Sequence, residues 1–138
     1  GRLIRHALRT LIKVGHPGVF PLLGFTVEPK LEVGPPKIAN ERVSVGEDLR
    51  FELQLVSQAP TQRFVVDFAI HFVKASGRTA AKVFKLRNVK AGDGESILIR
   101  KRHSLKPITT RRYFSGEHVL AIHVNGREVS RATFILDT

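Results

Sequence analysis

Between Phe64 and Val73 the chain strictly alternates. Phe64, Val66, Phe68, Ile70 and Phe72 are interleaved with Val65, Asp67, Ala69, His71 and Val73. A two-residue period puts the first set on one side of an extended backbone, so this stretch is a strand with one buried face. It reads as the longest strand and the centre of the core. Similar stretches lie on either side of it. Phe51, Leu53 and Leu55 alternate with Glu52, Gln54 and Val56. After a hairpin turn at Ala75-Ser76-Gly77-Arg78, residues 81–89 return, and Ala91-Gly92-Asp93-Gly94 turns again. Residues 95–103 form a strand with Ile97 and Ile99 inward and Arg100 and Arg102 on the other face. Residues 106–115 read as a long polar loop containing Pro107. Residues 117–124 bury Leu120, Ile122 and Val124. Asn125-Gly126 is a type I′ hairpin turn, and residues 129–136 close the domain with Ala132, Phe134 and Leu136 inward. About seven strands, punctuated by turns, make a mainly β chain: an immunoglobulin-like antiparallel two-sheet sandwich. The cysteine pair and tryptophan of antibody domains are absent, so only the architecture is implied.

The N-terminal part has a different period. Leu3, Ile4, Ala7, Leu8, Leu11 and Ile12 recur at helical spacing, with Arg2, Arg5, Arg9 and Lys13 opposite. Gly15 stops this helix, Pro17 starts a short second one over residues 19–23, and Gly24 ends it. Two short helices bury little by themselves and call for neighbours, as the end of a helical repeat array would. The expected division is a helical hairpin over residues 1–25 and the sandwich over residues 26–138. Residues 27–38, with three prolines, read as a linker running into an edge strand, and residues 40–48 as turn-like. The chain contains no methionine, which reads as a processed product or a piece of something longer.

The charge is concentrated. Residues 74–112 hold twelve of the 23 lysines and arginines, opposed there by Asp93 and Glu95 alone, in a chain of net charge +11. A folded β surface of this kind repels itself unless something anionic covers it, so a polyanion, nucleic acid above all, is the default partner. Lys101-Arg102-His103-Ser104, with Arg100 before it, is the sharpest candidate. Lys106, Thr109, Thr110, Arg111 and Arg112 continue it. Lys74, Lys82, Lys85 and Arg87 form a second patch, with Lys85 and Arg87 expected on one face of a strand, alternating with Phe84 and Leu86. Arginine forks, lysine point charges and hydroxyls are the groups that hold phosphates. The competing reading is a solvated loop beside an edge strand protected by charge, which needs one or two lysines rather than this many. The basic helix face fits a DNA-facing groove, an ordinary solvated surface or, without aromatic anchors, less well an anionic membrane.

Other chemistries find little support. Without cysteine there is no disulfide framework, cysteine zinc site or thiol chemistry. No apolar run reaches the length of a membrane span. His118 and His123 fall on opposite faces of one strand, and no metal-binding spacing occurs. No carboxylate pair, Ser–His–Asp set or phosphate-cradling glycine loop stands out. The residues name no catalytic group, metal site or cofactor.

Several strings occur in order: Thr10-Leu11-Ile12-Lys13, Gly15-His16-Pro17-Gly18, Leu22-Leu23-Gly24-Phe25, Lys82-Val83-Phe84-Lys85, Lys101-Arg102-His103-Ser104, Lys106-Pro107-Ile108-Thr109-Thr110-Arg111, then Gly116, His118 and Val124-Asn125-Gly126. Together they resemble the C-terminal part of bacterial DNA alkylation repair glycosylases of the AlkC type, over essentially the whole chain. The resemblance implies a HEAT-like repeat domain, holding the catalytic carboxylates, joined to an immunoglobulin-like domain, in an enzyme that removes N-alkylated bases such as 3-methyladenine. This chain would carry the last helical hairpin and the sandwich. It would have no excision activity by itself and would bind duplex DNA through phosphates, without reading sequence. Its partners would be duplex DNA and its own N-terminal repeat domain, as a cytoplasmic monomer needing no cofactor. The rival readings are an immunoglobulin-like protein-interaction module and a binder of RNA or anionic lipid.

Overall fold

The computed structural model describes residues 24–107 and 112–138. The helical hairpin expected before Gly24, and Ile108, Thr109, Thr110 and Arg111 of the polar loop, lie outside the described residues. Among the described residues nine strands follow one another: β1 (Leu31–Val33), β2 (Lys37–Ile38), β3 (Arg42–Ser44), β4 (Asp48–Ser57), β5 (Gln62–Val73), β6 (Thr79–Ala91), β7 (Ser96–Ser104), β8 (Gly116–Val124) and β9 (Arg127–Asp137).

They form two sheets. In the first, β4 is central, with β1 and β2 along one side and β7 along the other, all antiparallel. The second has the order β3-β9-β8-β5-β6. The immunoglobulin-like two-sheet architecture is as the alternation implies. The strand count differs because three of the nine are two or three residues long. Residues 40–48 are more than a turn: Arg42–Ser44 pairs in parallel with Ile135, Leu136 and Asp137. A three-residue strand has no readable period, so only the register with β9 reveals it. The longest strand is β6, with 13 residues against 12 in β5: the two pair along their whole length, and the extra residue in β6 is Leu86, inserted as a bulge.

The two inner faces meet in one core. Phe64, Val66, Phe68, Ile70 and Phe72 of β5 pack against Phe51, Leu53 and Leu55 of β4, Leu120 and Ile122 of β8, and Phe134 of β9. Phe51 and Phe68 cross edge to face at 5.2 Å between ring centroids. Burial of these side chains, at about 25 cal/mol per Å² of apolar surface, is the main force holding the sheets together.

The ends of the sandwich are pinned by hydrogen bonds. The N–H of Leu105 donates to the Glu47 carbonyl at 3.1 Å, and the N–H of Gly46 donates to the Leu105 carbonyl at 3.0 Å. With its side chain fully buried, Leu105 anchors the point where β7 leaves the sheet. At the far end Asn125 and Gly126 both have positive φ, 47° and 80°, as a two-residue type I′ turn requires.

Candidate nucleic-acid interface

The basic stretch folds into two adjacent edges. β6 is an edge of the second sheet, β7 an edge of the first, and a short turn at residues 92–95 joins them. The turn is tied to the end of β4, since Gly94 N–H donates to the Ser57 carbonyl at 2.7 Å and Ser57 N–H to the Glu95 carbonyl at 2.9 Å. Lys82, Lys85, Arg87 and Lys90 project from β6, all exposed, and Arg100, Arg102 and Ser104 from β7.

The strands sort these side chains by face. Ile97, Ile99, Lys101 and His103 lie on the inward side of β7, and Ser96, Leu98, Arg100, Arg102 and Ser104 on the outward side. The ring of His103 packs on Phe84 at 4.4 Å and on Phe68 at 5.3 Å between centroids. His103 and the half-buried Lys101 therefore stand apart from Arg100 and Arg102. The consecutive string in the sequence is split between two surfaces.

A second departure lies in β6. The expected shared face of Lys85 and Arg87 assumes uninterrupted alternation. A bulge at Leu86 breaks it, leaving Lys85 opposite Asp67 and Arg87 opposite Val66. Lys82 stands opposite Ile70. Asp67 is nearly inaccessible, and burial pushes its carboxyl up to about 6, an effect that Lys85 partly offsets.

The third departure is in charge balance. In the sequence Arg100 and Arg102 have no acid close by. In the sheet β4 supplies two: Arg100 Nε lies 3.4 Å from Glu52 Oε2, and Arg102 Nε 3.7 Å from Asp48 Oδ2. These pairs are exposed, so each contributes only ~0–1 kcal/mol. β4 and β2 also add two cations that sequence reading missed, Arg50 and Lys37. With Arg100 and Arg102 they border an open cleft of about 550 Å³ on the outward face of the first sheet. The signal for Arg50 was the polar half of the β4 alternation, legible as exposed but not as adjacent to β7, whereas Lys37 sits in a two-residue strand with no readable period.

Where the polar loop begins and ends, the chain is held down. Tyr113 Oη–H donates to the Lys106 carbonyl at 3.2 Å, and its ring lies 5.8 Å from that of Phe72. The Arg112 guanidinium sits 5.4 Å from the centre of the Phe114 ring. Lys106 and Arg112 are exposed on either side of this base. Among the described residues no three histidines, cysteines or carboxylates stand together as metal ligands, and no helix is long and apolar enough to cross a membrane.

Comparison with known proteins completes the picture. Residues 32–138 match the family described as "Uncharacterised protein YhaZ, C-terminal Ig-like domain". The chain belongs to this family. YhaZ of Bacillus subtilis (strain 168) is 32% identical over 124 residues, which cover 90% of this chain and 34% of YhaZ. The alkylpurine DNA glycosylase AlkC of Pseudomonas fluorescens, solved bound to DNA containing an abasic site analog, superposes with a TM-score of 0.90 at 36% identity. That match covers 97% of this chain and 38% of AlkC. The expected likeness to the C-terminal part of AlkC-type glycosylases therefore holds. The chain spans little more than a third of either relative. A β-glucosidase from Listeria innocua matches at TM-score 0.66 and 13% identity, over 82% of this chain and 17% of the enzyme, which is a likeness of fold alone. Half of the described lysines and arginines of this member of the YhaZ C-terminal family lie along β6, β7 and the base of the 106–112 loop.

Proposed function

We propose that this chain is the duplex-DNA-holding domain of an AlkC-like alkylbase DNA glycosylase. The observation that carries the reading is its likeness to AlkC of Pseudomonas fluorescens, over nearly the whole chain, in a structure that contains DNA. The exposed cations of two neighbouring strand edges support it, because a surface that binds any sequence must work through phosphates. On this reading Lys82, Lys85, Arg100, Arg102, Ser104, Lys106 and Arg112 meet the backbone, with Thr109, Thr110 and Arg111 from the loop. Lys101 and His103 shape the edge behind them. Residues 1–25 are the last helical hairpin of a preceding HEAT-like repeat domain, and that domain holds the groups that break the glycosidic bond. The protein works as a monomer in the bacterial cytoplasm, without a cofactor.

Binding of labelled duplex by fluorescence anisotropy tests this. The isolated chain binds in the range of about 10⁻⁴ to 10⁻⁶ M, and log K falls steeply with log salt as counterions are released. Affinity is nearly independent of sequence and of a single 3-methyladenine. The chain alone liberates no 3-methyladenine above the spontaneous rate. No binding to duplex at low salt, or a flat salt dependence, would refute the reading.

A further inference from the structure

On the outward face of the first sheet the ladder sets side chains in rows. Cross-strand partners point to the same side of a sheet and lie about 4.5–5.5 Å apart. One row holds Glu52 between Lys37 and Arg100. The next holds Arg50 directly opposite Arg102, and the third Asp48 opposite Ser104. The central row is a pair of like charges, which destabilises a sheet unless something compensates it. Asp48 reaches Arg102 at 3.7 Å, but among the described residues neither Arg50 nor Lys37 has an ion-pair partner. Four cations thus meet two carboxylates beside an open cleft.

We propose that this face is a discrete site for a phosphate group, with Arg50 and Arg102 as its two jaws and Lys37 and Arg100 as flanking charges. The phosphate lies over the Arg50–Arg102 row, where two guanidinium forks can each donate paired hydrogen bonds to its oxygens. Asp48 and Glu52 are resident competitors. They hold Arg102 and Arg100 in the absence of ligand and must release them when an anion binds, which keeps the site weak and its occupant exchangeable. The proposal rests on the DNA-holding reading for the identity of the phosphate, a backbone phosphate of duplex DNA. It adds Lys37 and Arg50, which lie far from the basic stretch in sequence, and gives two acidic residues a role in affinity.

The test uses the 138-residue chain and two double variants, Arg50→Gln/Lys37→Gln and Asp48→Asn/Glu52→Gln. Anisotropy with duplex DNA at low salt should show about a fivefold loss for the first and about a fivefold gain for the second. Equal melting temperatures would exclude a folding effect, as expected for exposed pairs. In parallel, inorganic pyrophosphate is titrated while the arginine Nε–H signals are followed by NMR. Shifts concentrated at Arg50 and Arg102 support the site even if duplex binding fails, in which case the DNA reading alone falls. Wild-type duplex binding that neither double variant alters, or pyrophosphate shifts spread evenly over all arginines, would overturn the proposal.

Discussion

The side-chain amide of Asn125 donates to the carbonyl of Thr26 at 2.9 Å, joining the β8–β9 turn to the segment that enters the sandwich. The same side chain accepts from the Val65 N–H at 2.9 Å, and the Asn125 N–H donates to the Val65 carbonyl at 3.0 Å. Thr26 is also bonded to Arg63 in both directions, and Arg63 lies over the Phe25 ring at 4.9 Å. Asn125 is buried and holds a positive φ of 47°. Asn125→Ala removes two side-chain hydrogen bonds and a residue that tolerates this backbone conformation. The expected loss is about 2–3 kcal/mol by urea unfolding. Asn125→Asp keeps the acceptor for the Val65 N–H and the backbone tolerance but sets a buried carboxylate oxygen against the Thr26 carbonyl, so it should destabilise the fold as well.

Asp67 makes stability depend on pH in an unusual direction. In the folded state its carboxyl keeps a proton up to about 6, against an ordinary 3.8. Between these values the folded state binds more protons than the unfolded one, so stability falls as pH rises through this window. Above it the cost persists, with a ceiling of about 3 kcal/mol for a shift of this size. Asp67→Asn should raise the melting temperature at pH 7.5 and flatten the profile between pH 4 and 6. A variant that melts lower at pH 7.5 and keeps the wild-type slope would contradict this.

His118 works the opposite way. It is fully buried between Phe72 and Phe134, its Nδ1–H donates to the Gly116 carbonyl at 3.1 Å, and its Nε2 has no hydrogen-bond partner among the described residues. Desolvation lowers its pKa below the usual 6.5, although the Gly116 bond opposes that. The folded state resists protonation, so the stability His118 contributes is present above the unfolded value and lost as pH falls through the folded one. His118→Phe keeps an aromatic ring in an aromatic cage. Its melting temperature should change less than that of the wild type between pH 7.5 and 5, as followed by circular dichroism.

The loop doublet is the sharpest test of the proposed phosphate contacts outside the first sheet. Arg111→Glu/Arg112→Glu replaces two attractions for a polyanion with two repulsions. Duplex affinity at low salt should drop at least tenfold, about 1.4 kcal/mol, with little change in melting temperature. Arg42→Glu/Arg127→Glu is the control. Arg42 lies in β3, at the edge opposite β6, where it pairs with Asp137 at 3.3 Å, and Arg127 begins β9. Greater loss in the control than in the doublet would place the binding face elsewhere.

Local pattern alone determined a good deal here. The alternation through Phe64 to Phe72 and through Ile97, Ile99, Arg100 and Arg102 settled which side chains face in and which face out. The side-chain period of a strand is a property of consecutive residues. Asn125-Gly126 set its own turn, because both residues accept positive φ. What stands beside what was decided by the tertiary structure. Register brought Glu52, Asp48 and Arg50 next to Arg100 and Arg102, from some fifty residues away. The bulge at Leu86 broke the shared face of Lys85 and Arg87, and packing turned His103 onto Phe84. Strand pairing joins segments by hydrogen bonds and core contacts that no short window of sequence contains. A run of charge along the chain therefore became two edges and a face, with neighbours of both signs.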